Sequence, residues 1–314
     1  RMGCNHHSSR RVWKEVLLVN EIEAPFNFEL TAPSSLPWKL SNGVCSRLIR
    51  LSSGRLLLVS MKSIGTVDRP KLEVTLRSKF KLSEKDKVEV VEKISHIFGL
   101  RHNIREFYSL AENDPVLRNV VHHFYGMRGP SEPSVFETIV ISILEQQVNL
   151  KFAGRLRERL IERFGEKLKL NNQTHHAFPT PEELAKADIS QLRACGLSRY
   201  KASYIKGISE SVVTGEFDPE ELRTLSNERA MEALMRLKGI GRWSAEYILV
   251  RGLGRAVVPG GDLAVRRAIS EFYFNGKELS SDDVRRFSQR WGDHKGSAVF
   301  YLLCAYREGK KPQR

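Results

Sequence analysis

Cysteine is scarce in this chain and scattered: Cys4, Cys45, Cys195 and Cys304 include no C-x-x-C pair. That spacing argues against a zinc site, an iron–sulfur cluster or a disulfide framework, and for a reducing interior in which each thiol is a small apolar residue. No run of about 18 uninterrupted apolar residues occurs, so no helical membrane span is expected. The opening RMGCNHHSSRR lacks the apolar centre of a secretory leader and reads as a cloning remnant or a frayed end over residues 1–11. The pairs His122-His123 and His175-His176 have no carboxylates at ligand spacing, so neither a side-chain metal site nor a cofactor is expected. Internal repeats, low-complexity tracts and a heptad seam are missing too, which makes a monomer the default. These absences together suggest an intracellular protein of the cytoplasm or nucleoid, or of the nucleus in a eukaryote.

Basic residues, by contrast, are in excess. Fifty-one Lys and Arg against 37 Asp and Glu give a net charge of +14 over 314 residues. Such an excess favours a polyanionic partner, because displaced counterions drive binding. Nucleic acid is the simplest such partner; an anionic membrane surface is the other, and charge alone does not choose. The length accommodates two domains, each able to bury a core.

The pattern changes along the chain. In KLEVTLRSKF, Leu72, Val74 and Leu76 alternate with charged and polar residues, the period of a half-buried strand. VCSRLIRL and LLLVSMKSI flank Ser52-Ser53-Gly54-Arg55, a hairpin signature. Ser83 and Asp86 predict a capping box opening a helix that ends at Gly99, with Val88, Val91, Ile94 and Ile97 facing the sheet. Residues 12–105 therefore read as a β-rich α+β domain, an antiparallel sheet with a packed helix. Residues 106–314 read as an all-α domain: SVFETIVISILEQQV is a strongly apolar helix, and FAGRLRERLIERFG follows with Arg155, Arg157, Arg159 and Arg163 on a basic face. NNQTHHAFPTPEEL reads as a loop that ends with Thr180 capping a helix and Pro181 in its first turn.

The chemistry concentrates in Leu237–Ile269. Lys238-Gly239-Ile240-Gly241 is a tight turn between two helices, and Arg242 opens the second. Two glycines permit a sharp bend and close approach, and unpaired first-turn N–H groups favour a phosphate oxygen. With Lys238 and Arg242 beside it and Ile240 as an interhelical plug, the turn reads as a helix-hairpin-helix that grips a nucleic-acid backbone without reading sequence. A plain interhelical turn is the bland alternative. Asp262 follows Val257-Val258-Pro259-Gly260-Gly261 and precedes a helical pattern, so it caps that helix. The same rigidly held carboxylate could stabilise a cationic transition state or orient a water.

LKGIGRWSAEYILV, the Pro-Gly-Gly loop and Asp-Leu-Ala-Val-Arg-Arg together resemble the helix-hairpin-helix DNA glycosylase superfamily. Within it the chain looks most like the alkylation-repair branch, that of 3-methyladenine DNA glycosylase II. FNFELT near the start, FETIVISILEQQV and GLSRYKASYIKGI are similar to further segments of that branch. The resemblance implies that Asp262, twenty-one residues after Gly241, is the catalytic aspartate. It implies that Lys238 to Arg242 bind the backbone of damaged double-stranded DNA, often through a monovalent cation on the turn's carbonyls. Trp243 stands where bifunctional relatives carry a Schiff-base lysine, so hydrolysis without strand cleavage is implied. Trp243 and Tyr247 match pocket aromatics, and Gln147, or its neighbour Gln146, matches the wedge that fills the gap left by a flipped nucleotide. YLLCAYREGK resembles a segment with a stacking Trp where this chain has Ala305, which would remove one pocket wall. The expected activity is excision of alkylated purines such as 3-methyladenine and 7-methylguanine. A glycosylase for hypoxanthine or 8-oxoguanine, and a non-catalytic DNA-binding module, remain the alternatives.

Overall fold

The computed structural model describes residues 12–170 and 172–310; the stretch 1–11 lies outside the described residues. Strands β1 (Trp13–Val19), β2 (Lys39–Ser41), β3 (Val44–Arg50), β4 (Leu56–Ser63) and β5 (Leu72–Ser78) form an antiparallel sheet in the order β1-β5-β4-β3-β2. A short helix, α1 (Phe28–Thr31), lies between the first two. The turn at Ser52–Arg55 joins β3 to β4, with Arg50 opposite Leu56. Leu72, Val74 and Leu76 are all buried, as their alternation requires.

Helix α2 (Glu84–Phe98) covers this face. Ser83 and Asp86 form the expected capping box, and Gly99 ends the helix in the left-handed region at φ 59°. The buried stripe differs from the expected one at its start. Val88 is 61% exposed and Val90 is buried in its place, while Ile94 and Ile97 are buried as expected and Phe98 joins them. Both stripes have helical spacing, but only the second brings Phe98 inward, where it meets Trp38 edge-on with ring centroids 5.4 Å apart. The larger apolar area wins.

The helical part contains α3 (Arg105–Glu112), α4 (Pro115–His123), α5 (Val135–Glu145), α6 (Leu150–Phe164), α7 (Pro181–Lys186), α8 (Ile189–Ala194), α9 (Arg199–Val213) and α10 (Asn227–Met235). It continues through α11 (Arg242–Arg251), α12 (Leu263–Tyr273), α13 (Ser281–Ser288) and α14 (Lys295–Arg307). Helix α5 is buried from Val135 to Leu144, and α6, α9, α10 and α11 contribute to the same core. A second core joins α3 and α4 to α12 and α14. The fold is α+β, as expected.

Two further expectations need correction. The segment read as a loop contains β7 (Gln173–His176), which pairs with β6 (Lys167–Leu170) before Thr180 caps α7 with Pro181 in its first turn. The alternation Lys167-Leu168-Lys169-Leu170 has period two, and both leucines are buried with Leu48, Leu56 and Leu58 of the large sheet. Arg157 does not join a solvated basic face: it is buried and pairs with Glu145 at 2.8 Å. A guanidinium enters the interior when a carboxylate meets it there.

A second buried pair ties the sheet to the helical core. Arg47 on β3 donates to both oxygens of Glu137 on α5, at 3.1 and 3.0 Å, and Glu132 lies 3.9 Å away. Burial pushes the Glu137 carboxyl above its usual range, and the Arg47 guanidinium opposes that push. Removing one member leaves the other charge buried without a partner. Arg47→Met should therefore lower unfolding free energy by about 3–5 kcal/mol in denaturant titrations. A loss below about 1 kcal/mol would show the pair to be energetically idle.

Candidate active site and nucleic-acid interface

The turn between α10 and α11 is built from its glycines. Gly239 has φ +93°, and a side chain there would overlap the Tyr204 ring. Ile240 is 5% exposed and packs into the core shared by α5, α9 and α11, while Lys238 and Arg242 are exposed on either side. Gly241 is the N-cap of α11, and no side chain caps the helix there. Its first-turn N–H groups thus lack a side-chain acceptor and suit an anion.

The Gln146-Gln147 pair divides. Gln146 Nε2 donates to the Gly239 carbonyl at 2.8 Å and to Ser244 Oγ at 2.9 Å. Its amide braces the turn, whereas Gln147 is left free of such bonds among the described residues. Gln147 is exposed and held in the left-handed region at φ 54°, at the corner between α5 and α6. Lys201 Nζ fixes this corner by donating to the Leu144 and Gln146 carbonyls, both at 2.8 Å. Gln147, Tyr200, Lys201, Tyr204 and the Gly239–Gly241 turn line a groove of about 500 Å³. Tyr200, 73% exposed, and Lys201 were missed from the sequence, where both look like ordinary surface residues of α9.

Asp262 caps α12: its Oδ1 accepts from the Val265 N–H at 3.0 Å. Its Oδ2 accepts from Trp243 Nε1, also at 3.0 Å. The capping and functional readings of this residue are therefore compatible in one geometry. Gly260, just upstream, is pressed against the Ser281 carbonyl and the Arg285 stem, and Arg285 in turn donates to the buried Glu246 of α11 at 2.8 Å. The loop bearing Asp262 is thus gripped by α11 from two directions.

Trp243 and Tyr247 lie one turn apart with ring centroids 5.6 Å apart and planes inclined by 36°. Both rings and Asp262 line one cavity of about 580 Å³, together with Glu145, Leu36 and Phe300. Burial and the nearby Glu145 carboxylate hold the Tyr247 phenol above its ordinary pKa. Burial likewise raises Glu145, against the pull of Arg157. Leu36 comes from the N-terminal part, and its carbonyl accepts from Arg157 Nη1 at 3.2 Å. Ala305 is not a missing wall: it is 1% exposed within the α12–α14 core, and Phe300 and Leu303 present α14 to the cavity. Among the described residues no His, Cys, Asp and Glu cluster could hold a metal. His123 pairs with Glu308 at 3.0 Å and His122 approaches Glu112 at 3.5 Å.

Because Gly239 combines a positive φ with ring contact, Gly239→Ala should cost about 1–3 kcal/mol of stability. Denaturant midpoints check this, and a midpoint equal to that of the parent protein would contradict the geometry.

Comparison with known proteins agrees with this arrangement. Residues 140–294 match the HhH-GPD superfamily of base excision DNA repair proteins. The solved 3-methyladenine DNA glycosylase of Archaeoglobus fulgidus is 33% identical, with a TM-score of 0.84 over 94% of this chain and 99% of that one. The DNA-3-methyladenine glycosylase of Bacillus subtilis is 26% identical over 300 residues, covering 92% of this chain and 98% of its own. The 3-methyladenine DNA glycosylase of Schizosaccharomyces pombe, solved with abasic DNA, is 28% identical with a TM-score of 0.55, over 63% of this chain and 94% of its own. Sequence, fold and site converge on one conclusion: the chain belongs to the helix-hairpin-helix superfamily of base-excision DNA glycosylases, in its alkylation-repair branch.

Proposed function

We propose that this protein excises alkylated purines, of the 3-methyladenine and 7-methylguanine type, from duplex DNA by hydrolysis, leaving an abasic site in an intact strand. The observation that carries the reading is the carboxylate of Asp262, fixed by Trp243 and the start of α12 at the wall of an aromatic cavity. A base inside the duplex is unreachable, so the nucleotide must be extruded. The turn Lys238–Arg242 holds backbone phosphate, and Gln147 enters the space the nucleotide leaves. Any monovalent cation at the turn would rest on backbone carbonyls, of which Gly239 keeps one lone pair beyond its bond from Gln146.

Inside the cavity, Trp243 and Tyr247 attract a positively charged base through cation–π contact worth roughly 0.5–2 kcal/mol. Such a base already leaves easily. As the glycosidic bond breaks, positive charge develops on the sugar, and Asp262 stabilises it and directs water to the anomeric carbon. Both of its oxygens keep a lone pair beyond the hydrogen bonds that position them. Trp243 offers no amine at the lysine position of bifunctional relatives, so no Schiff base forms there and β-elimination is not expected. A pure DNA-binding module would need the turn and its basic flanks but neither the cavity nor the acid. The protein is read as a monomer; no helix among the described residues is long and apolar enough to cross a membrane.

An alkylated duplex should release base on incubation, with nicking only after hot alkali. Nicking without alkali, or borohydride trapping of a covalent complex, would refute the hydrolytic assignment. Asp262→Asn should lower single-turnover release by about 10²-fold or more while duplex binding persists; a fully active variant would remove Asp262 from the chemistry.

A further inference from the structure

The cavity wall contains a carboxylate, Glu145, that the reaction at the sugar does not use. Asp262 bonds to Trp243, Trp243 lies beside Tyr247 with its ring tilted by 36°, and the Glu145 carboxylate of the same cavity acts on the Tyr247 phenol. The aromatic pair thus links Asp262 to the part of the cavity that holds Glu145. A purine joined to its sugar through N9 presents its N1 and C6 edge at the opposite end of the ring system. With its sugar at Asp262 and its faces against the aromatic pair, that edge arrives beside Glu145.

The charges lining the cavity are balanced. Its carboxylates are Asp262, Glu132 and Glu145, and its guanidiniums are Arg157, Arg251 and Arg307. Arg157 is bonded to Glu145 at 2.8 Å and to the Leu36 carbonyl, and Arg251 lies 3.6 Å from Glu132. Balance matters because the side chain of Glu145 is only 12% exposed, and at such burial an unmatched charge is poorly screened. Without the Glu145 charge the cavity carries one guanidinium in excess, and a cationic base would enter against it. A carboxylate has about four acceptor positions, and Arg157 occupies one, leaving capacity for a donor on the base.

Building on the proposed base excision, we propose that Glu145 is a specificity-determining residue, selecting positively charged alkylated purines over neutral ones. It acts on the distal edge of the base and not on the bond that breaks.

The test uses two single-lesion duplexes, one with 7-methylguanine and one with hypoxanthine. Both bases present a C6 carbonyl and an N1–H at the distal edge, while only the first is cationic when joined to deoxyribose. The full chain should show a ratio of kcat/KM for 7-methylguanine over hypoxanthine that falls about tenfold in Glu145→Gln. Glu145→Asp, which keeps the charge, should restore most of it. Each ratio is taken within one preparation, so a reduced folded fraction cancels. An unchanged ratio in Glu145→Gln, or an equal fall for Gln and Asp variants, would overturn the assignment. Wild-type protein that releases neither base would instead sink the excision reading on which it rests.

Discussion

The hydrogen bond from Trp243 to Asp262 is the contact on which the rest of the site depends. It joins the first turn of α11, which follows the Gly239–Gly241 turn, to the acid that caps α12. The carboxylate is thereby fixed relative to that turn, although Trp243 and Asp262 stand nineteen positions apart in the sequence. Arg285 and Glu246 hold the same loop from its other side. A site that must meet an extruded nucleotide needs this kind of prior fixation, because a small displacement of a catalytic group is costly.

The second organising feature is electrostatic. Three buried or half-buried acid–base contacts, Arg47 with Glu137, Arg157 with Glu145, and Arg251 with Glu132, run from the sheet to the floor of the cavity. They make the N-terminal part a component of the pocket and not a separate brace, since Arg157 also holds the Leu36 carbonyl at the cavity wall. Such pairs add little net stability over apolar packing, but breaking one strands a charge. The cavity thus combines aromatic surface with internally balanced charge, a setting in which a single uncompensated cation on the ligand is felt.

Local signals were legible in the sequence where one short segment determines the outcome. The Ser83–Asp86 box, the Gly99 stop, the Thr180 cap and the Gly239-Ile240-Gly241 turn depend on neighbours a few residues apart, and their geometry follows from backbone chemistry. Asp262 as a cap was equally local. Features decided by distant partners were not legible. Val88 loses its place to Val90 because Phe98 must reach Trp38. Gln146 turns to a carbonyl 93 residues away, and Arg157 turns inward to Glu145. Ala305 looked like a lost pocket wall only because the side from which α14 faces the cavity is set by packing with α12. One signal was available and passed over: Glu137 interrupts an otherwise apolar helix, which in a buried element demands a partner.

The central claim is that a fixed carboxylate faces the sugar of a flipped nucleotide as that sugar becomes cationic. Its most direct test compares affinity for two duplexes, one with a positively charged pyrrolidine in place of the abasic sugar and one with neutral tetrahydrofuran. The account predicts that the cationic analogue binds at least about tenfold more tightly, and that Asp262→Asn removes this preference while leaving the neutral affinity nearly intact. Equal affinity for both analogues, or a preference that survives the substitution, would contradict it.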